Sequence, residues 1–185
     1  MKETPRMIVV LTVIAMLSGL VLAFTFNMTN DKILHNAELK KQRAIKEVLP
    51  GLETYEMKQK GELEYYQGYN AQGNPVGIAV EAVGGGFSGD INLMIGIIPS
   101  EERITGIKVL KHLETPGLGA RITENEFKSN FEDKEFGDYE VVKHPVRDEM
   151  QVQAITGATI SSNAVTKIVQ KTVDKVADAY GGDQS

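Results

Sequence analysis

A chain of 185 residues has room for one ordinary domain plus an appendage, and its folded part is long enough to bury a core without covalent staples. It has no cysteine, which excludes disulfides, zinc–thiolate and iron–sulfur sites held by this chain, and any cysteine nucleophile; its three histidines, His35, His112 and His144, lack metal-ligand spacing. With 20 basic against 25 acidic residues the net charge is -5, the wrong sign for a nucleic-acid-binding footprint.

Met7 through Phe26 reads MIVVLTVIAMLSGLVLAFTF, without a charge. About 20 helical residues cover the hydrocarbon layer of a bilayer, so this run predicts a transmembrane helix. Its length, and the want of a small-x-small cleavage site, favour an uncleaved anchor over a signal peptide. A buried core helix would be expected to show a polar face. Lys2 and Arg6 against Glu3 favour a cytoplasmic head. Lys32, Lys40, Lys41, Arg43 and Lys46 on the other flank pull the opposite way. A short head, one span and a large folded domain fit an N-in, C-out arrangement.

From Asn30 to about Leu49, Ile33, Leu34, Ala37, Ala44, Ile45 and Val48 recur near helical spacing, and Pro50-Gly51 ends the run. This segment is expected either to continue the membrane helix as a neck or to pack on the domain behind it. Strands are expected at Leu63–Tyr69 and Val76–Val83, joined by the turn NAQGNP, and at Ile91–Ile98, Ile104–Leu110 and Tyr139–Val142. Residues 123–136 read as a short helix and a loop. Asn163–Tyr180 is the clearest helix: Val165, Ile168, Val169, Val173, Val176, Ala177 and Tyr180 form one stripe, and Gly181-Gly182 stops it. Strands first and a helix last, without a βαβ repeat, predict an α+β fold.

Three segments are candidates for chemistry. Gly84-Gly85-Gly86-Phe87-Ser88-Gly89-Asp90 lacks the Lys-Ser/Thr of a Walker loop, so nucleoside triphosphate binding is excluded. Its glycines either let backbone approach a flat ligand or allow a bend between strands. At the end of a strand, Glu114, Thr115, Pro116, Gly117, Leu118 and Gly119 make a tight turn with polar side chains and exposed donors. Thr156-Gly157-Ala158-Thr159-Ile160-Ser161-Ser162 precedes the last helix, where Ser161 or Ser162 reads as its N-cap. A helix N-terminus also stabilises phosphate.

Together these strings resemble a known family. TGATIS at 156–161 resembles the S/T-G-A-T flavinylation motif of the FMN-binding domains in the Rnf and Nqr respiratory complexes. ETPGLGA at 114–120 is similar to the family's second signature, and GGGFSGDI at 84–91 to its glycine loop. The likeness covers essentially the whole chain and is greatest to the G subunits of Rnf complexes. It implies FMN joined by a phosphoester to Thr159, with Thr156, Gly157, Ala158, Ser161, Ser162, Glu114, Thr115, Gly117, Leu118, Gly119, Gly85 and Gly86 around it. No catalytic acid or base and no metal are implied. The family usually carries an aspartate shortly before TGAT, where this chain has Gln153; Asp148 and Glu149 lie upstream.

The implied organisation is a cytoplasmic head at 1–6, a transmembrane helix at 7–26, a helical neck at 27–50 and an extracytoplasmic FMN-binding domain at 51–185. The implied role is an electron-carrier subunit of a membrane complex that links ferredoxin and NAD chemistry to ion translocation. Its partners would be the other subunits, the bilayer and a flavin transferase. A C subunit of the Nqr type, or an anchored flavin-binding sensor or assembly factor, are the alternatives.

Overall fold

One helix, α1, runs unbroken from Glu3 to Val48. In the computed structural model, which describes residues 3–181, it is long and apolar enough to cross a membrane. The best 18-residue stretch has a mean hydropathy of 2.7 and none of it is buried. Met1 and Lys2 of the head, and Gly182 of the expected helix stop, lie outside the described residues.

By contacts the chain divides between Lys40 and Lys41 into two units. The first is helical throughout its described length, with its large apolar side chains exposed. The second contains the last eight residues of α1 and everything after them, so part of the expected neck is a component of the folded unit.

That unit is built on an antiparallel six-stranded sheet in simple meander order. Its strands are β1 (Thr54–Lys60), β2 (Leu63–Tyr69), β3 (Pro75–Gly85), β4 (Asp90–Ile98), β5 (Arg103–Lys111) and β6 (Lys134–Glu135). The two-residue period of a strand separates the side chains onto two faces. Ile78 and Val80 of β3, and Ile91, Leu93, Ile95 and Ile97 of β4, join the larger core; Ala79 and Met94, one residue out of step, join the smaller one.

Helix α3 (Thr159–Gly181) covers the first face with Val165, Ile168, Val169, Val173 and Val176. Ala177, expected on the same stripe, is exposed, because it falls about 40° beyond Val173, outside the arc that the five buried residues span. The second face takes Ala44, Ile45 and Val48 from the end of α1 and Leu49 just after it. There Thr105 Oγ1 donates to the Val48 carbonyl, one of the groups that a helix C-terminus leaves unpaired.

Residues 119–131 form short helical turns, including α2 (Asn125–Lys128), which seat Ile122, Phe127 and Phe131 in the core. Two short strands, β7 (Glu140–Val142) and β8 (Gln151–Gln153), pair in parallel. β8 delivers the chain to the 156–162 segment. The architecture is α+β, as its sequence predicts.

Candidate functional site

The three singled-out segments meet at one end of the sheet. β3 runs out at Gly85 into the 86–89 loop, β5 runs out at Lys111 into the 112–119 turn, and the 156–158 loop opens α3. Between them lies a cavity of about 330 Å³ lined by Phe87, Glu114, Thr115, Leu118, Gly119 and residues 157–161.

Helix α3 starts four residues earlier than expected, and this corrects the capping assignment. Ser162 N–H already donates to the Ala158 carbonyl at 3.0 Å, so Ala158 holds the N-cap position and both serines lie inside the first turn. Alanine has no side-chain acceptor for the first N–H groups of the helix. The serine hydroxyls are engaged elsewhere. Ser162 Oγ accepts from Ile155 N–H and donates to the Ala158 carbonyl, both at 3.0 Å, which ties the 155–158 loop to the helix. Ser161 Oγ donates to Glu114 Oε2 at 2.5 Å. Thr159 is half-buried and lines the cavity; its carbonyl accepts from Asn163 Nδ2, and its hydroxyl makes no hydrogen bond among the described residues.

Glu114 is buried at 4% exposure. Its Oε1 accepts from the backbone N–H groups of Phe87 (2.8 Å) and Ser88 (3.0 Å). Burial pushes its carboxyl up, but the hydrogen bonds from Ser161, Ser88 and Phe87, with His112 nearby, outweigh that and hold it below the ordinary carboxylate value. Glu114 N–H in turn donates to His112 Nδ1 at 3.2 Å.

The glycines follow from this crowding. A Cβ on Gly86 would collide with Glu114 Oε1, and one on Gly119 would lie 2.5 Å from Oε2 and 2.6 Å from Ser161 Oγ. Gly117 and Gly157 take φ of +74° and +81°, the left-handed region that glycine enters without strain.

Not every expected residue lines the cavity. Ser162 is sealed in the core. Thr156 is exposed and faces a separate small cavity beside Arg121 and Asn130. Gly85 and Gly117 lie in open surroundings, and Gly86 supports the wall from behind Glu114. Gln153 closes β8, exposed, its N–H donating to Asn130 Oδ1 at 2.8 Å.

Two lining residues, Phe87 and Ile160, were not singled out from the sequence. Each sits inside a motif, and the signal was an apolar side chain among small and polar neighbours. Phe87 is 65% exposed and Ile160 59%; with Leu118 at 47% they give the cavity an apolar rim open to solvent. Such a rim on a soluble surface marks a binding site.

The fit to a flavin mononucleotide is good on these observations. A half-open apolar slot suits a flat ring, a helix N-terminus without a side-chain cap suits a phosphate, and an unengaged threonine hydroxyl lies in the same cavity.

Residues 86–174 match the FMN-binding domain family. The chain is 39% identical to the G subunit of the ion-translocating oxidoreductase complex of Methanosarcina acetivorans, over 97% of this chain and 98% of that one. It is 31% identical to the G subunit of the proton-translocating ferredoxin:NAD(+) oxidoreductase complex of Clostridium ljungdahlii, over 93% and 91%. Its fold resembles that of Shewanella oneidensis NqrC, with a TM-score of 0.56 and 19% identity over 72% of this chain and 73% of that one. The C subunit of the Na(+)-translocating NADH-quinone reductase of Parabacteroides distasonis gives 0.52 and 27% over 63% and 62%. The chain belongs to the family formed by the G subunits of ion-translocating oxidoreductase complexes.

Proposed function

We propose that this chain is the membrane-anchored electron carrier of an Rnf-type complex, which couples electron transfer between ferredoxin and NAD to ion translocation, and that it carries FMN on Thr159 through a phosphoester. The observation that carries the reading is the state of the hydroxyls at the start of α3: Ser161 and Ser162 are engaged, while Thr159 lines the cavity with its hydroxyl unengaged. Bound there, FMN supplies one- and two-electron transfer. Around it, Thr159 anchors the phosphate and the α3 N-terminus stabilises its charge. Gly157, Ala158, Thr115 and Gly119 shape the slot, while Phe87, Leu118 and Ile160 offer apolar surface to the ring. No side chain acts as a catalytic acid or base, and the protein has no independent catalysis.

In this reading residues 1–6 are a cytoplasmic head, 7–26 the single span and 27–50 a neck whose residues from Lys41 on belong to the folded unit, with 51–185 the rest of the extracytoplasmic flavin domain. The other subunits of the complex, the bilayer and, during maturation, a flavin transferase are its partners. A C subunit of the Nqr type is the second reading, favoured by the likeness of fold to two such subunits.

The test is direct. The full chain, co-produced with a flavin transferase, is denatured on a gel and its tryptic peptides are weighed. Flavin fluorescence in the band and an FMN adduct on the peptide holding Thr159 are expected. A dark band with unmodified peptide would overturn covalent attachment and leave an anchored sensor or assembly factor. A reporter fused to the C-terminus and active only in the cytoplasm would reverse the orientation.

A further inference from the structure

Glu114 differs from the other residues around the cavity in that its carboxylate is committed to the protein. A buried carboxylate must find hydrogen-bond donors, and this one has three: two backbone N–H groups from the 86–89 loop and one hydroxyl from α3. Those partners are 27, 26 and 47 residues away in sequence, so one side chain joins all three segments of the site. Glycines crowd both of its oxygens, Gly86 at Oε1 and Gly119 at Oε2, and neither position has room for a methyl group. Phe87, whose N–H it holds, and Ser161, whose hydroxyl it holds, both line the cavity.

Resting on the flavin reading above, we infer that Glu114 is the clasp of the site: a positioning residue whose carboxylate sets the gap between the 86–89 loop and the first turn of α3. Through those contacts it holds Phe87 and the first turn of α3, which carries Thr159, around the cavity, and it fixes a negative charge in the cavity lining. A fixed anion opposes the addition of electrons nearby, so the clasp lowers the flavin's midpoint potential as well as shaping its slot.

The experiment uses the full chain, produced without and with a flavin transferase. In the flavin-free chain, amide hydrogen exchange is read at Phe87 and Ser88. Glu114→Ala should speed it about ten-fold at both positions while Leu93, Ile95 and Ile97 of β4 stay protected. Glu114→Gln keeps an acceptor oxygen and should restore most of the protection. In the flavin-loaded chain, Glu114→Gln should raise the midpoint potential above that of the parent, a shift that a merely structural role would not produce.

Unchanged exchange at Phe87 and Ser88 in Glu114→Ala, or an unshifted potential in Glu114→Gln, would overturn the clasp. If Glu114→Ala loses protection throughout β4, Ser161→Ala replaces it. That change removes one partner and should speed exchange at the two amides about three-fold; no change there overturns the clasp equally. Absence of flavin from the parent counts against the flavin reading alone, because the exchange measurement needs no flavin.

Discussion

The two faces of the sheet are covered by helices of different character. On one, α3 contributes five buried branched side chains to a cluster that also holds Val80, Leu93, Ile95 and Ile107. On the other, the last turns of α1 contribute Ala44, Ile45 and Val48 to a cluster completed by Leu49, Leu52, Ala79 and Met94. That smaller patch is flanked by charge pairs: Lys41 with Glu81 at 2.7 Å, and Glu47 with Lys108 and Lys128 at 2.6 and 3.0 Å. The broad apolar face supports the cavity at its end. The narrow one closes the sheet with residues that a sequence reading assigns to a neck. A functional site that depends on hydrogen bonds good to a few tenths of an ångström benefits from standing on the larger core, where more buried side chains hold its segments in place.

The largest effect should come from stripping the narrow face. A chain beginning at Lys41 should unfold cooperatively on heating, whereas one beginning at Gly51 loses Ala44, Ile45, Val48 and Leu49 and should not. Calorimetry separates the two. Equal transitions would mean that α1 contributes nothing to the domain. Next in size is Ile45→Ala, which removes a fully buried side chain and should cost about 2–5 kcal/mol in denaturant unfolding. A loss under about 1 kcal/mol would place Ile45 outside the cooperative unit.

Much of the broad face is legible in the sequence. β2 through β5 alternate or run apolar between turn residues, and the α3 stripe repeats at helical spacing. β1 is not legible, because TYEMKQK is an edge strand exposed along most of its length and has no buried face to impose a period on its composition. β6 (KE) and β8 (QVQ) hold one apolar residue between them, Val152, and so show no pattern, whereas the equally short β7 is marked by Val141 and Val142. At the site, the motifs bring the right segments into view, yet the bond from Ser161 to Glu114 spans 47 residues and is set by the packing of α3 on the sheet. The serines read as caps for a related reason: a hydroxyl before an apolar stripe looks the same whether it caps the helix or reaches a carboxylate.

A third expected effect is smaller and depends on pH. The Glu114 carboxyl is held below its ordinary value of 4.5, so its bonds add stability above that pH, and the contribution is lost as pH falls through the lowered folded-state value. Glu47 and Glu81 are lowered too, burial being opposed by their lysine partners, and they contribute to the same acid limb. The informative quantity is therefore a difference. Between pH 7 and pH 3 the parent should lose more thermal stability than Glu114→Gln, with the gap opening below about pH 4.5. Parallel melting curves for the two would show that the carboxylate's charge adds nothing to the folded state.

The smallest change in stability should accompany the largest change in chemistry. Thr159→Val keeps the β-branched shape at a half-buried position whose hydroxyl makes no hydrogen bond among the described residues. No cap is lost, since the N-cap position belongs to Ala158 and the serine hydroxyls keep their partners. The flavin-free variant should therefore unfold within about 0.5 kcal/mol of the parent. A phosphoester needs an oxygen at that side chain, so the same variant should carry no covalent FMN, whereas Thr159→Ser, which lacks only a methyl group, should retain part of it. Mass spectrometry of the co-produced chains reads the adduct, and denaturant titration of the flavin-free ones reads the stability. If Thr159→Val carries as much flavin as the parent, attachment lies at another hydroxyl. Ser161 would be the first to examine, and flavin there would require its bond to Glu114 to open.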